Sequence, residues 1–343
     1  MTIHRKFRFA LSATALATAL AVLPAAQAAD PTPRTVKVSF VTAEDSPYGK
    51  GVARFAELVA SKTQGKLKVQ GFSDGKLGAE LPSISSAQGG VLEVALVSTA
   101  AVVGVVKEFA IFDFPFLFAD EREAYAVLDG AVGRQLLDKL TSKGLVGLCF
   151  WEVGFRQTTN SKRPIVKAED FAGLKIRTIQ NPVFVDVFNG LGANATPLAF
   201  TEVFGALESK AIDGQETPYN VIHTSRFYEV QKFLSATKHI YGPGVVLVSK
   251  KFWDQIGAPE QAALQTSCDE TRGYQRQVSR DANARLTAEL TKQGMVLNEV
   301  SAEERARMRQ RLQPVVDKYT KQVGEELVKQ TMAEIGKVRV ASK

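Results

Sequence analysis

The chain is poor in histidine and cysteine. Of its 343 residues only 3 are His and 2 are Cys, and that scarcity removes several kinds of chemistry. His223 and His239 are the histidines left beyond the N-terminal segment, and neither stands at a ligand spacing from a cysteine or from the other, so no metal centre is implied. There is no Gly-x-Ser-x-Gly elbow and no phosphate loop, which takes away common signatures of hydrolases and nucleotide-binding enzymes. Blocks of one charge sign are also missing. The formal charge of +7 falls to +4 when Arg5, Lys6 and Arg8 are set aside, and the surplus is scattered, without the basic-aromatic stripe that nucleic acid requires. Such a mild bias steers small anions at most. Beyond residue 28 no apolar run is long enough to cross a bilayer. The two cysteines, Cys149 and Cys268, are far apart. Cys149 lies in the apolar run Leu145–Trp151 and reads first as a small buried hydrophobe; a disulfide is the second reading, since the spacing gives no framework.

What is present begins with an export signal. Met1–Phe9 holds three basic residues and no acid, an apolar run extends from Phe9 to Leu23, and Ala26-Gln27-Ala28 closes the segment. A basic start, a short apolar core and a small-x-small end describe a secretory signal peptide over residues 1–28. Cleavage follows Ala28, with Ala29 as the alternative boundary, and the mature protein is then expected in the periplasm. The remaining length is enough for two cores.

The order of elements alternates strand and helix. Thr35–Phe40, Leu67–Gly71 and Glu93–Val97 read as strands, separated by a helix over Tyr48–Lys62 and another beginning near Leu81. Leu145–Glu152 is a strongly apolar strand that should enter a second domain, where Leu174–Arg177 and a short run near Ala195 flank a helix at Pro182–Leu191. Tyr241–Ser249 is a further apolar strand, placed to return the chain to the first domain. Interleaving of this kind points to α/β sheets with crossover connections. Pro259–Gln293 reads as one long, mostly polar helix, too long for one small domain and better suited to spanning both. Gly190-Leu191-Gly192-Ala193-Asn194-Ala195 mimics a dinucleotide fingerprint, but its glycines follow a helical pattern and Pro197 blocks a helix from opening there.

The segment from Trp151 to Pro218 carries the most chemistry. It holds Gly154-Phe155-Arg156, Gly173-Leu174-Lys175-Ile176-Arg177 and Asp213-Gly214-Gln215-Glu216-Thr217-Pro218. An unpaired guanidinium in an apolar setting is costly to desolvate, so each arginine needs an anion, either an internal carboxylate or an exogenous acid held by the planar fork. Together with Ser46–Gly51, Gly75–Gly78, Phe114–Phe118 and Ala199–Leu207, these stations resemble the solute-binding subunits of TRAP (tripartite ATP-independent periplasmic) transporters, the DctP-like family, along nearly the whole mature chain. The resemblance implies two α/β lobes joined by crossing strands, a long helix bracing both, and a ligand closed between them by a hinge. It implies lobe I over 29–153 with 242–282, and lobe II over 154–241 with 283–343. It further implies a monomer that binds an organic acid without converting it and delivers it to the small and large membrane permease subunits, with no cofactor. Service to an ABC-type or signalling system is the alternative that the fold leaves open.

Family usage makes Arg177 the main carboxylate clamp and Arg156 a second polar contact. Thr217 stands where the family often has Asn, which shortens the reach of any contact from there. Trp151 and Tyr219 flank the signature segments and read equally as cleft walls or as core. Ser98, after the third strand, reads as a hydroxyl facing the cleft or as a solvated loop residue. Asn181, before Pro182, reads first as a helix cap. Phe72 reads as a cleft wall or as packing at a strand end. The ligand itself stays open among C4-dicarboxylates, sugar acids, 2-oxo acids and aromatic acids.

Overall fold

The computed structural model describes residues 33–341, which belong to one compact unit, and the first two residues. The expected signal peptide and its cleavage site lie outside the described residues.

Two sheets organise the body. The first is built from β1 (Arg34–Ser39), β2 (Leu67–Phe72), β3 (Val94–Ser98), β4 (Leu145–Phe155) and β10 (Tyr241–Ser249), in the strand order β2-β1-β3-β10-β4. β1, β2 and β3 are parallel, whereas β10 runs antiparallel to both β3 and β4. β3 and β10 are buried at every residue, which is why they read as unbroken apolar runs. The second sheet is built from β5 (Gln157–Asn160), β6 (Lys175–Thr178), β7 (Asn194–Pro197), β8 (Gly214–Thr217), β9 (Phe233–Ala236) and β11 (Val296–Glu299), in the order β11-β9-β5-β8-β6-β7. The mixed α/β architecture and the long helix are as the sequence implied.

The chain passes between sheets at Arg156, which separates β4 from β5, and at Thr237–Ile240, which separates β9 from β10. The two passages are tied where the Arg156 amide donates to the Ile240 carbonyl at 2.9 Å. Gly154 shapes the first passage with φ of 117°, a conformation that a side chain would strain. The third passage is the helix Ala258–Lys292, 35 residues long. Its first half packs on the helix Pro47–Lys62 and on β4, and Gln275 clamps Glu152 by accepting from its amide and donating to its carbonyl, each at 2.8 Å. Its second half places Ala282, Leu286 and Leu290 in a core cluster with Ile222, Phe227 and Leu234.

Local chemistry explains the smaller elements. Ser46 accepts from the Gly49 amide and Pro47 occupies the first turn of the helix Pro47–Lys62, which buries Val52, Phe55 and Val59 on one stripe. Helix Pro182–Leu191 is capped by Asn181 at its start and closed at Gly192, where φ is 100°, so the fingerprint-like glycines end a helix instead of opening one.

Two expectations need correction. Cys149 and Cys268 form a disulfide, with Cα atoms 6.0 Å apart, joining β4 to the long helix. Both sulfurs are buried in the first-sheet core, and it is tertiary packing that brings them together. The segment 283–343 is also not confined to the second lobe. Helix Glu325–Ala341 packs on Glu121–Asp129 of the first, where Leu327 and Ile335 join the cluster of Val127 and Leu128, and Arg339 makes a two-point contact to Glu123 at 2.7 and 3.0 Å.

Candidate functional site

Two adjoining cavities lie between the sheets, enclosing about 270 and 400 Å³ of empty space including what opens to solvent. They share Glu80, Arg177, Ile179 and Phe200. The larger is lined from the first lobe by Val41, Thr42, Tyr48, Glu80 and Ser98, and from the crossing strand and second lobe by Val153, Arg156, Thr217 and Val221.

Arg177 projects from β6 and is 2% exposed. Its Nε and Nη2 donate to the Leu198 carbonyl at 2.9 and 2.7 Å, and its guanidinium lies 5.9 Å from the centre of the Phe200 ring. Two of five N–H donors are thereby used, leaving Nη1 and the second hydrogen of Nη2 as an end-on fork. Among the described residues no carboxylate lies within 4.0 Å of it to make an ion pair. Burial lowers its pKa to about 10, partly opposed by the more distant charges of Glu216 and Glu80. It remains cationic at neutral pH, desolvated and without a contacting counterion.

Arg156 is different. Its Nε and Nη2 grip Glu216, with Nη2 at 2.9 Å from Oε1 and at 2.7 Å from the backbone carbonyl, and Nε in contact with Oε2. The pairing follows from the antiparallel register of β5 and β8, which sets Gln157 against Thr217 and Thr158 against Glu216. His239 Nε2 adds a 3.1 Å contact to Glu216, and its Nδ1 is 2.8 Å from the Thr237 hydroxyl. Burial works against the Glu216 charge, yet the Arg156 charge and the His239 bond outweigh it and hold the carboxyl below its usual range. Burial holds His239 below its usual range, favouring the neutral ring. Arg156 still borders the cavity, but its anion is internal.

The other residues singled out from sequence divide. Ser98 and Thr217 line the larger cavity. Trp151, Tyr219, Asn181 and Phe72 line neither cavity. Trp151 is 1% exposed and packs edge-on to Tyr48 and Phe55, over a space that Gly51 leaves open. Tyr219 belongs to the second-lobe core with Ile222 and Phe227. Asn181 caps its helix through Oδ1 and spends Nδ2 on the Ala100 carbonyl and Asp113 carboxyl, at 2.8 and 2.9 Å. Phe72 is half-buried at the end of edge strand β2.

Sequence reading assigned no role to three lining residues. Tyr48 has a hydroxyl that is buried and lacks a partner. Glu80 accepts from the Ser98 amide at 2.6 Å and faces its hydroxyl at 3.3 Å; burial raises its pKa. Phe200 floors the Arg177 guanidinium. Tyr48 and Phe200 lay inside recognised stations and Glu80 lies two residues beyond one, so the signal was proximity to those stations. Among the described residues no group of His, Cys, Asp and Glu is placed to hold a metal ion, and no helix is long and apolar enough to cross a membrane.

The family model of the bacterial extracellular solute-binding proteins, family 7, matches residues 38–322. A solute-binding protein of Verminephrobacter eiseniae is 37% identical over 296 residues, covering 86% of this chain and 88% of its own. The C4-dicarboxylate-binding periplasmic protein DctP of Rhodobacter capsulatus is 33% identical over 320 residues, with 93% and 94% covered. Among solved structures, the sugar acid binding protein DctPAm of Advenella mimigardefordensis in complex with galactonate is 43% identical and superposes with a TM-score of 0.87, covering 90% of this chain and 99% of that one.

Proposed function

We propose, from the premise that this chain belongs to the DctP family of bacterial extracellular solute-binding proteins, the periplasmic subunits of TRAP transporters, that Arg177 captures an organic acid by its carboxylate between the lobes. The protein is a periplasmic solute carrier. It acts as a monomer, leaves its ligand chemically unchanged and hands it to the membrane permease subunits. The lobes meet across the cleft, the first contributing Tyr48, Glu80 and Ser98, the second Arg177 and Thr217.

The observation that carries this reading is the state of Arg177: buried, still charged at neutral pH, and without an ion-pair partner among the described residues. Natural chains seldom retain such a group unless an exogenous anion completes it. A carboxylate meets the end-on fork in two-point contact. Closure then removes water from the pair and strengthens it. Relatives of known ligand do not decide the acid, since one is named for C4-dicarboxylates and another holds galactonate.

A thermal-shift screen of the mature chain against organic acids tests the reading. An acid held at 100 times its dissociation constant adds about 2.7 kcal/mol of stability. A panel of carboxylates in which none raises the melting temperature, or a neutral sugar that raises it more than every acid, would overturn it.

A further inference from the structure

Folding gathers four cations that lie far apart in the sequence onto one groove, which shares no residue with the cleft. The crossing passages stand between the two: Arg156 and His239 turn to Glu216, whereas their neighbours Phe155 and Lys238 line the groove. One wall is Phe116 and Phe118 of the first lobe. The other is Arg305 and Arg309 on the helix Ala302–Arg311, which packs on Pro182–Leu191 of the second. Arg339 of the helix Glu325–Ala341 completes the lining, and the groove encloses about 840 Å³ of empty space including what opens to solvent. Its nine lining residues are four cations, three phenylalanines and two alanines, with no acid among them.

Among the described residues Lys238, Arg305 and Arg309 make no salt bridge, and Arg339 spends Nε and Nη2 on Glu123 but keeps Nη1. Arg305 and Arg309 stand four apart on one helix, a like-charge spacing that works against it. The apolar half is rigid, since Phe118 and Phe155 both pack edge-on to the buried Tyr241, with ring centres 6.0 and 5.2 Å away. The backbone is strained on both sides. Phe116 and Lys238 have φ of 53° and 45°, a region that side chains seldom adopt. The Phe116 amide is held by the His239 carbonyl at 2.8 Å and the Lys238 amide by the Gln157 side chain at 3.0 Å. Strain of this kind concentrates where ligands are clamped.

We infer that this groove is a second ligand site, completed by both lobes, for a multivalent anion that carries an aromatic ring. Acidic groups on such a ligand pair with Lys238, Arg305 and Arg309 through charge-assisted hydrogen bonds, and its ring covers the phenylalanine faces. A monoacid satisfies one cation and leaves the others repelling one another. An aliphatic polyacid answers the charge but leaves the rings in water. The site stands apart from the Arg177 reading and does not depend on it.

Benzenetricarboxylate and propanetricarboxylate carry the same number of acids with and without a ring, and benzoate carries the ring with one acid. Calorimetric titration of the mature chain with these three at low salt tests the site, alongside the Lys238→Gln/Arg309→Gln double variant and Arg177→Met. Benzenetricarboxylate should bind the wild type at least about tenfold more tightly than either of the others, and the double variant, with wild-type melting, should weaken it by at least about tenfold, the loss expected for one charge-assisted contact. Arg177→Met should leave its affinity unchanged, and added salt should weaken it. Absence of benzenetricarboxylate binding would overturn the inference, as would equal affinity for the aliphatic triacid or binding that the double variant leaves intact. Loss of binding in Arg177→Met with retention in the double variant would put the triacid in the cleft, overturning the second site while supporting the Arg177 clamp.

Discussion

Replacing each arginine by methionine separates their roles. In Arg156→Met the Glu216 carboxylate, 0% exposed, loses its charge partner, and breaking a buried pair from one side costs about 3–5 kcal/mol. Unfolding entropy of about 2.1 cal/mol/K per residue, over a body of roughly 310 residues, converts each kcal/mol to about 1.5 °C. The empty Arg156→Met protein should therefore melt about 5–8 °C below wild type. In Arg177→Met no contacting carboxylate is orphaned and only the Leu198 carbonyl loses its donors. That loss, about 1–3 kcal/mol, is offset by removal of a desolvated charge, so melting should move by no more than about 2 °C. Binding reverses the ranking. The ligand carboxylate would be buried against an uncharged thioether, without a cation, and affinity should fall by at least about 3 kcal/mol, more than 100-fold. Scanning calorimetry of the empty proteins and titration with the acid found by screening supply the two numbers. If Arg177→Met destabilises the empty protein as much as Arg156→Met and binds its acid normally, the reasoning fails.

Three further outcomes follow from other parts of the molecule. Asp113 is pushed by burial up to about 8 from an ordinary 3.8, so the folded state holds its proton where the unfolded chain does not. That contribution is full below about pH 4 and is lost as pH rises toward 8; Asp113→Asn should gain in melting temperature relative to wild type between pH 5 and pH 8, and a constant difference would contradict it. Serine at both Cys149 and Cys268 opens a cross-link between residues 119 apart in sequence and should cost about 2–5 kcal/mol, read in urea melts with and without reductant. Gly49→Ala would set a Cβ 1.9 Å from the Glu44 carbonyl oxygen. Its expected cost is about 1–3 kcal/mol in urea unfolding, and a wild-type midpoint would count against the packing described.

The first sheet was legible because its central strands are apolar throughout; Tyr241–Ser249 was read to its ends. The second sheet was read only in part. Gln157–Asn160 and Gly214–Thr217 are wholly buried but polar, with Thr159 linked by hydrogen bonds to Gln231 and Gln215, so hydrophobic alternation gave no sign of strands. The site shows the same divide. Both arginines were identifiable as groups needing an anion, but only the register of β5 against β8 reveals that Glu216 already serves Arg156. Trp151 was ambiguous because nothing local tells that Gly51 vacates the volume its indole fills.

The long helix has a mechanical consequence. Up to Arg276 it is fastened to the first lobe, by the disulfide at Cys268, by Gln275 on Glu152, and by Arg276 on Asp129 at 2.6 and 2.9 Å. From Ala282 onward it is embedded in the second-lobe core. Both ends of one continuous rod are thus clamped to different lobes, and the opening proposed for the cleft would load the short stretch between them. An α-helix bends elastically with its hydrogen bonds intact, as long helices do when they curve. If the lobes part as proposed, this one would act as a leaf spring in parallel with the crossing strands, limiting how far they open.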